Sequence, residues 1–161
     1  MVKINKKPTV KSSHKGSSVG IVTSIFNTEI AKLEFDSCFK TLIDQGFSKN
    51  RIFSVSVPGA LEIPFALKSL AATKTFDALI ALGVIIRGKT FHFEIVALES
   101  ASGLSKVALD FNIPIANGIL AVENYQQAFE RSINKGVDCA LVALTMINLK
   151  KEIKKFSEKK I

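Results

Sequence analysis

The sequence predicts an α/β fold built on a parallel sheet, and three observations carry that prediction. Phe76 to Ile86 is an almost unbroken apolar run, the pattern of a strand buried on both faces. It stops at Arg87-Gly88-Lys89-Thr90, and the segment from Phe91 to Asp110 then carries Ala97, Ala101, Leu104 and Ala108 at helical spacing. This alternation of apolar strand and amphipathic helix recurs four times along the chain, as βαβ units require.

The elements follow in order. The length of 161 residues suits one domain with a sizeable core. Residues 1–17 are polar, with Pro8, Gly16 and several serines, and are expected to form a basic flexible segment ahead of a single domain over 18–161. Val19 to Phe26 reads as the first strand. Asn27 or Thr28 caps the helix after it, and Glu29 falls in its first turn. Phe35, Cys38, Phe39, Leu42 and Ile43 form that helix's apolar stripe, with Gly46 as terminator. Arg51 to Val57 is the second strand, ended by Pro58-Gly59. Leu61 to Thr73 continues as a helix that accepts Pro64 only within its first turn. After the third strand and its helix, Ile113 to Leu120 is the fourth strand. Asn124 can cap a helix through about Ile133, and Asn134-Lys135-Gly136 is expected to break it. A last helix would follow, with Cys139, Val142, Ala143, Met146 and Leu149 on one stripe.

Right-handed crossovers leave few strand orders for such a chain. A flavodoxin-like three-layer sandwich with a four-stranded parallel sheet puts the second strand at an edge, followed by the first, third and fourth. Its switch point lies between the first and third strands, and ligands bind there, outside the carboxyl ends of the strands. Phe26-Asn27, Pro58 to Glu62 and Gly88 to His92 would all converge on that crevice.

Charge and composition exclude other classes. The formal net charge of +8 is confined to the two ends. Residues 1–16 hold five lysines and no acid, and residues 150–161 hold six lysines against Glu152 and Glu158, so 17–149 keep 11 basic and 12 acidic residues. No aromatic residue is interleaved with the N-terminal lysines to stack on bases, so no nucleic-acid partner is expected. No apolar stretch reaches the roughly 18 to 20 residues of a membrane span. Nor is there the apolar core of a secretion signal. Cys38 and Cys139 are isolated, without metal-ligand spacing, and read as buried packing residues in a reducing, cytoplasmic compartment.

The turn after the third strand has the strongest chemical potential. Gly88 permits backbone conformations that side chains resist. The N–H groups around Lys89, Thr90 and Phe91 point out of a new helix's N-terminus, which favours an anion. Thr90 can donate a hydroxyl or cap the helix, and His92, one turn inside, can move a proton. A helix cap beside a partly buried histidine is the competing reading. The first glycine of a Walker loop is missing. Elsewhere in the crevice, Phe26 can stack on a planar ring or serve as core. Glu62 can accept hydroxyl protons from a polyol or favour a helix dipole. Arg131 is one of three arginines; its planar fork suits phosphate, or a surface ion pair with Glu130 or Glu123.

Five stretches taken together resemble the lumazine synthase family: Ile25-Phe-Asn27, Val57-Pro-Gly-Ala-Leu-Glu-Ile-Pro64, Ala81 to Glu94, Gln127-Ala-Phe-Glu-Arg131 and Asn134-Lys-Gly136. The resemblance runs from Gly20 to Leu149. It implies condensation of 5-amino-6-ribitylaminouracil with 3,4-dihydroxy-2-butanone 4-phosphate, giving 6,7-dimethyl-8-ribityllumazine, phosphate and water, with no metal or organic cofactor. By position, Phe26 and Asn27 match the pyrimidine side of the site. Ala60, Leu61 and Glu62 match the ribityl-binding segment, and Val84, Ile85 and Ile86 the strand end that meets the uracil edge. Lys89, Thr90, Arg131 and Lys135 match the phosphate-binding set, and His92 the proton-transfer residue. The resemblance also implies a homopentamer with sites shared between neighbours, open to assembly into a 60-subunit shell. The chain departs from the pattern at Ile25, where an arginine is common, at Leu61, usually aromatic, and at Asn117, where a phenylalanine usually covers the ring; by that position Asn117 is expected among the ribitylaminouracil-binding residues. Residues of a common Gly-rich connection are also missing between Arg131 and Asn134. Two alternatives remain at this point: a catalytically weak paralogue that binds lumazine or flavin, and a flavin-binding electron carrier of the same fold. The second would need a phosphate loop where this chain has Ile25-Phe-Asn-Thr28.

Overall fold

A computed structural model describes His14 and residues 16–159. The elements run β1 Val19–Ser24, α1 Thr28–Asp44, β2 Ile52–Val57, α2 Ile63–Ala72, β3 Ala78–Ile86, α3 His92–Asp110, β4 Ile115–Val122 and α4 Tyr125–Glu158. The four strands are parallel in the order β2-β1-β3-β4, the expected order with its switch point between β1 and β3.

Strand alternation sorts the core to the two faces of the sheet. Val19 and Ile21 of β1 and Ala78, Ile80 and Leu82 of β3 pack with Cys38 and Leu42 of α1 and Ala140, Leu144 and Ile147 of α4. Val22, Leu79, Ala81 and Ile85 point the other way, onto Ile63 and Leu67 of α2 and Leu104 and Val107 of α3. The result is the three-layer sandwich. β3 is buried along its first eight residues, as its apolar run requires, whereas the edge strand β2 is only partly covered. Cys38 and Cys139 are both free and buried. Gly46, at φ 94°, ends α1 as expected, its N–H donating to the Ile43 carbonyl at 2.9 Å.

The structure corrects several expectations. β1 ends at Ser24, not Phe26. Residues 60–62 form a separate 3-10 turn, so α2 begins at Ile63 with Pro64 in its first turn. The two expected C-terminal helices are one helix of 34 residues. Gly136 does not break it. A Cβ there would lie 2.1 Å from both the Glu34 carbonyl oxygen and Ser37 Oγ of α1, so this glycine lets two helices cross in contact. The apolar stripe of α4 is also rotated: Cys139, Ala140, Ala143, Leu144 and Ile147 are buried, while Val142, Met146 and Leu149 are exposed. In α1 the buried face is Ile30, Ala31, Glu34, Cys38 and Leu42, and Ile43 is exposed. In α3 Ser100, Leu104 and Val107 are buried, and Ala97, Ala101 and Ala108 flank them.

Most of the expected flexible segment lies outside the described residues. Its end does not behave as a free tail: His14 is buried and stacks on Phe47 with ring centroids 5.4 Å apart, and Lys151 Nζ donates to Ser17 Oγ at 2.8 Å. Among the described residues no helix is long and apolar enough to cross a membrane.

Candidate active site

Three turns at the carboxyl ends of β1, β2 and β3 enclose a cleft of about 510 Å³. Each is held by local chemistry that the sequence specifies.

The turn after β1 places Phe26 and Asn27. Thr28 Oγ1 donates to the Ile25 carbonyl at 2.6 Å and closes the turn. Asn27 takes a left-handed conformation, φ 59°, which asparagine tolerates better than most residues. Neither side chain caps α1. The Asn27 amide reaches across the switch point and donates to the Val84 carbonyl at 3.1 Å. Phe26 is 71% exposed and lines the cleft, so it is not a core phenylalanine.

The turn after β2 supplies the opposite wall. Pro58 and Gly59 lead into the 3-10 turn, where Ala60 is buried, Leu61 is partly exposed, and Glu62 stands at the N-terminal end of α2. All of these face the cleft.

The turn after β3 is clamped by Arg87. Its Nε donates to Glu123 at 2.7 Å, its Nη1 donates to Glu94, and its guanidinium sits 4.1 Å from the ring centre of Phe93. One side chain thus ties the ends of β3 and β4 to the first turn of α3. Glu94 and Glu123 raise the Arg87 pKa, and Arg87 holds the Glu94 carboxyl below its usual range. Beyond the clamp, Gly88, Thr90 and His92 line the cleft, with Phe93 and Val96 as apolar floor. The His92 N–H donates to Thr90 Oγ1 over a long 3.4 Å, so Thr90 closes the start of α3 only weakly. Gly88 has no positive φ, and a Cβ there would meet nothing within 4 Å, so the conformational reason expected for it does not hold in this chain.

The cleft therefore joins an open aromatic face at Phe26, the backbone edge Val84–Ile86, a carboxylate at Glu62, and a hydroxyl and an imidazole at the N-terminus of a 19-residue helix. This suits a planar heterocycle carrying hydroxyls next to an anion.

The expected phosphate-binding residues do not all reach the cleft. Lys89 is exposed on the turn, outside the lining of the cleft. Arg131 stands exposed on α4, its Nη1 donating to the Gln127 carbonyl of its own helix. Lys135 is half-buried on α4, within electrostatic reach of Glu34. Asn117 is exposed on β4 opposite Ala81, well below the strand ends, and its Oδ1 accepts from the Ile119 N–H at 3.0 Å. None of these last three lines the cleft.

The sequence profile of 6,7-dimethyl-8-ribityllumazine synthase matches residues 16–151. The chain belongs to the lumazine synthase family. A 6,7-dimethyl-8-ribityllumazine synthase of Burkholderia multivorans is 51% identical over 134 residues, which is 83% of this chain and 78% of that protein. Its counterpart in Bordetella petrii is 49% identical over 135 residues, covering 84% and 77% of the two chains. That of Burkholderia vietnamiensis is 51% identical, covering 83% and 79%. This lumazine synthase homologue thus matches the family across all three cleft turns and through Arg131, Lys135 and Gly136. Reading residue types in the sequence missed Arg87 as the clamp and Phe93 and Val96 as the floor. The signal for the floor was present: Val96 follows His92 by four residues, on the same helical face.

Proposed function

We propose that this chain is a 6,7-dimethyl-8-ribityllumazine synthase, a transferase of riboflavin biosynthesis that condenses 5-amino-6-ribitylaminouracil with 3,4-dihydroxy-2-butanone 4-phosphate. The observation that carries the reading is the cleft itself. Its open ring face, strand edge, carboxylate and imidazole-bearing helix start occur together at the switch point, on the residues that match the family.

The amine of the uracil substrate attacks the ketone of the four-carbon substrate, and water leaves to form an imine. Loss of a proton and of the phosphate then gives an enol, whose keto form is attacked by the ribitylamino nitrogen. Loss of a second water closes the aromatic ring. Each step moves a proton or releases an anion, so a histidine beside a phosphate pocket is the catalytic group required. In this reading Phe26 stacks on the pyrimidine with Asn27 beside it, and Val84–Ile86 meet its polar edge. Ala60, Leu61 and Glu62 hold the ribityl chain. Thr90 and the N-terminus of α3 hold the phosphate with Lys89, and His92 transfers protons.

The same reading makes the protein a homopentamer in which Arg131 and Lys135 of one subunit complete the phosphate site of the next. Support comes from the placement of both residues outside their own chain's cleft. A head-to-tail contact of this kind is heterologous and closes into a ring. The uninterrupted α4, with no loop before Asn134, supports an isolated ring over a shell. Two buried, unpaired cysteines support work in a reducing cytoplasm.

The decisive experiment mixes purified protein with both substrates and follows the fluorescence of the lumazine product. Product formation dependent on both substrates is expected. Bound lumazine or flavin without turnover would replace this reading with that of a binding protein.

A further inference from the structure

Beneath the cleft, the seam between α1 and β3 holds an ionisable side chain that the chemistry above leaves unused. Glu34 of α1 is fully buried. Its Oε2 accepts a hydrogen bond from the Gly83 N–H at 3.0 Å. Gly83 is one residue short of the Val84–Ile86 edge, and it lies where the pairing with β1 stops: the last partners are Thr23 and Leu82. A backbone donor buried at the end of a ladder needs another acceptor, and Glu34 supplies it.

The contact has a second half. Asn27, at the start of the same helix, donates to the Val84 carbonyl. Two side chains of one helix therefore grip two successive residues of the strand, one through its N–H and the other through its C=O. The surroundings mark a specific site. Glu34 Oε1 has no hydrogen-bond partner among the described residues, nor has Thr23 Oγ1, which shares the α1/α4 side of the sheet with Ile21 two residues earlier. The other ionisable groups facing Glu34 are Cys38 on its own helix and Lys135 and Cys139 on α4. Burial pushes the Glu34 carboxyl up to about 9, against the opposing pull of the Gly83 N–H and Lys135. At neutral pH it is a neutral acid, one oxygen accepting and the other able to donate.

We propose that Glu34 is a positioning residue of the cleft: by holding the Gly83 amide it fixes the Val84–Ile86 backbone edge that receives the planar ring, without touching the ring itself. The identity of that ring as the uracil substrate rests on the lumazine synthase reading; the Glu34–Gly83 contact does not. An apolar side chain of similar volume would fill the seam but leave the Gly83 N–H buried without a partner, and the strand end would shift to find one.

The test compares Glu34→Leu with Glu34→Gln in the intact assembly, by steady-state kinetics for both substrates and by the amide resonance of Gly83 in ¹⁵N-glycine-labelled protein, one of nine glycines. Glu34→Leu should raise the KM of the uracil substrate by at least about five-fold, the scale of one lost hydrogen bond. The KM of the phosphate substrate and kcat should stay within about two-fold. The Gly83 resonance should move more than those of glycines remote from the seam. Glu34→Gln keeps an oxygen acceptor and should restore both the KM and the resonance. Unchanged uracil KM in Glu34→Leu, an equal rise for both substrates, or a glutamine variant that behaves like leucine would overturn the assignment. If Glu34→Leu does not assemble, Glu34→Met makes the same deletion with a more adaptable side chain. A wild-type protein without lumazine formation would sink only the functional reading; the Gly83 resonance still decides the role of Glu34.

Discussion

Asn27 and Val84 meet across the switch point of the sheet, the side-chain amide of the first donating to the carbonyl oxygen of the second at 3.1 Å. Asn27 does this from a left-handed conformation. Asn27→Ala should therefore lose both the bond, worth about 1 kcal/mol, and the tolerance for that conformation, worth about 1–2 kcal/mol. Asn27→Gly loses the bond but keeps the conformation. Denaturant midpoints should rank wild type above glycine above alanine, and alanine above glycine would show that the turn relaxes.

His92 is exposed at the start of α3, so removal of its side chain should cost chemistry and not stability. His92→Ala is expected to lower kcat about 10- to 1,000-fold, with residual turnover from substrate positioning. The melting temperature should hold. A normal rate would reduce His92 to a helix residue.

Arg131→Ala should raise the KM of the four-carbon phosphate by the equivalent of about 1.5–3 kcal/mol and that of the uracil substrate much less. The shared site can be tested by complementation. His92→Ala and Arg131→Ala subunits, mixed equally, unfolded and refolded together, should regain about one quarter of wild-type activity, because a quarter of random interfaces join two intact halves. Activity that stays at the mutant level would put every catalytic group in one chain.

Glu34 gives stability a pH dependence of definite sign. Its carboxyl titrates near 4.5 when exposed and is pushed up to about 9 when folded. Between those values the folded state holds one proton more than the unfolded state. The stabilisation is thus complete below the lower value and declines as pH rises, by up to about 1.4 kcal/mol per unit, levelling off above the higher one. Thermal midpoints from pH 5 to 9 should fall more steeply in wild type than in Glu34→Gln. Parallel curves would show that the carboxyl ionises without cost.

Gly136→Ala should be strongly destabilising for one methyl group. The added Cβ would press on the Glu34 carbonyl and Ser37 Oγ at 2.1 Å, and overpacking of this kind costs about 1–3 kcal/mol. A neutral effect in chemical denaturation would mean that the helices separate freely.

Strand order and the three converging turns were legible because they follow from short-range patterns: the apolar run before Arg87, the Pro58-Gly59 stop and the polar Gly88–Thr90 turn. The continuity of α4 was not. Asn134-Lys135-Gly136 is a breaker by local propensity, and only the approach of α1, distant in sequence, converts Gly136 into a packing surface. The rotated stripes have the same origin, since an apolar residue such as Val142 or Met146 can face either the core or the outside of a monomer. Glu34 was invisible for a related reason. A glutamate at a helical position reads as solvated until the Gly83 amide, beyond the last β1 pairing, is seen donating to it. Lys135 drew attention for its charge, and it also lies within electrostatic reach of that buried carboxyl.

The unbroken α4 has a mechanical consequence. Arg131 stands five residues before Gly136, about 7.5 Å along one rigid axis, with no hinge between them. The partner in that crossing, α1, begins at Thr28, directly after Phe26-Asn27 of the chain's own cleft. In the proposed ring, a single contact between two helices therefore sets the posture of one subunit's receiving half and of the arm it extends to its neighbour. A defect at that crossing is transmitted as a lever transmits load, and one altered subunit would misalign two active sites.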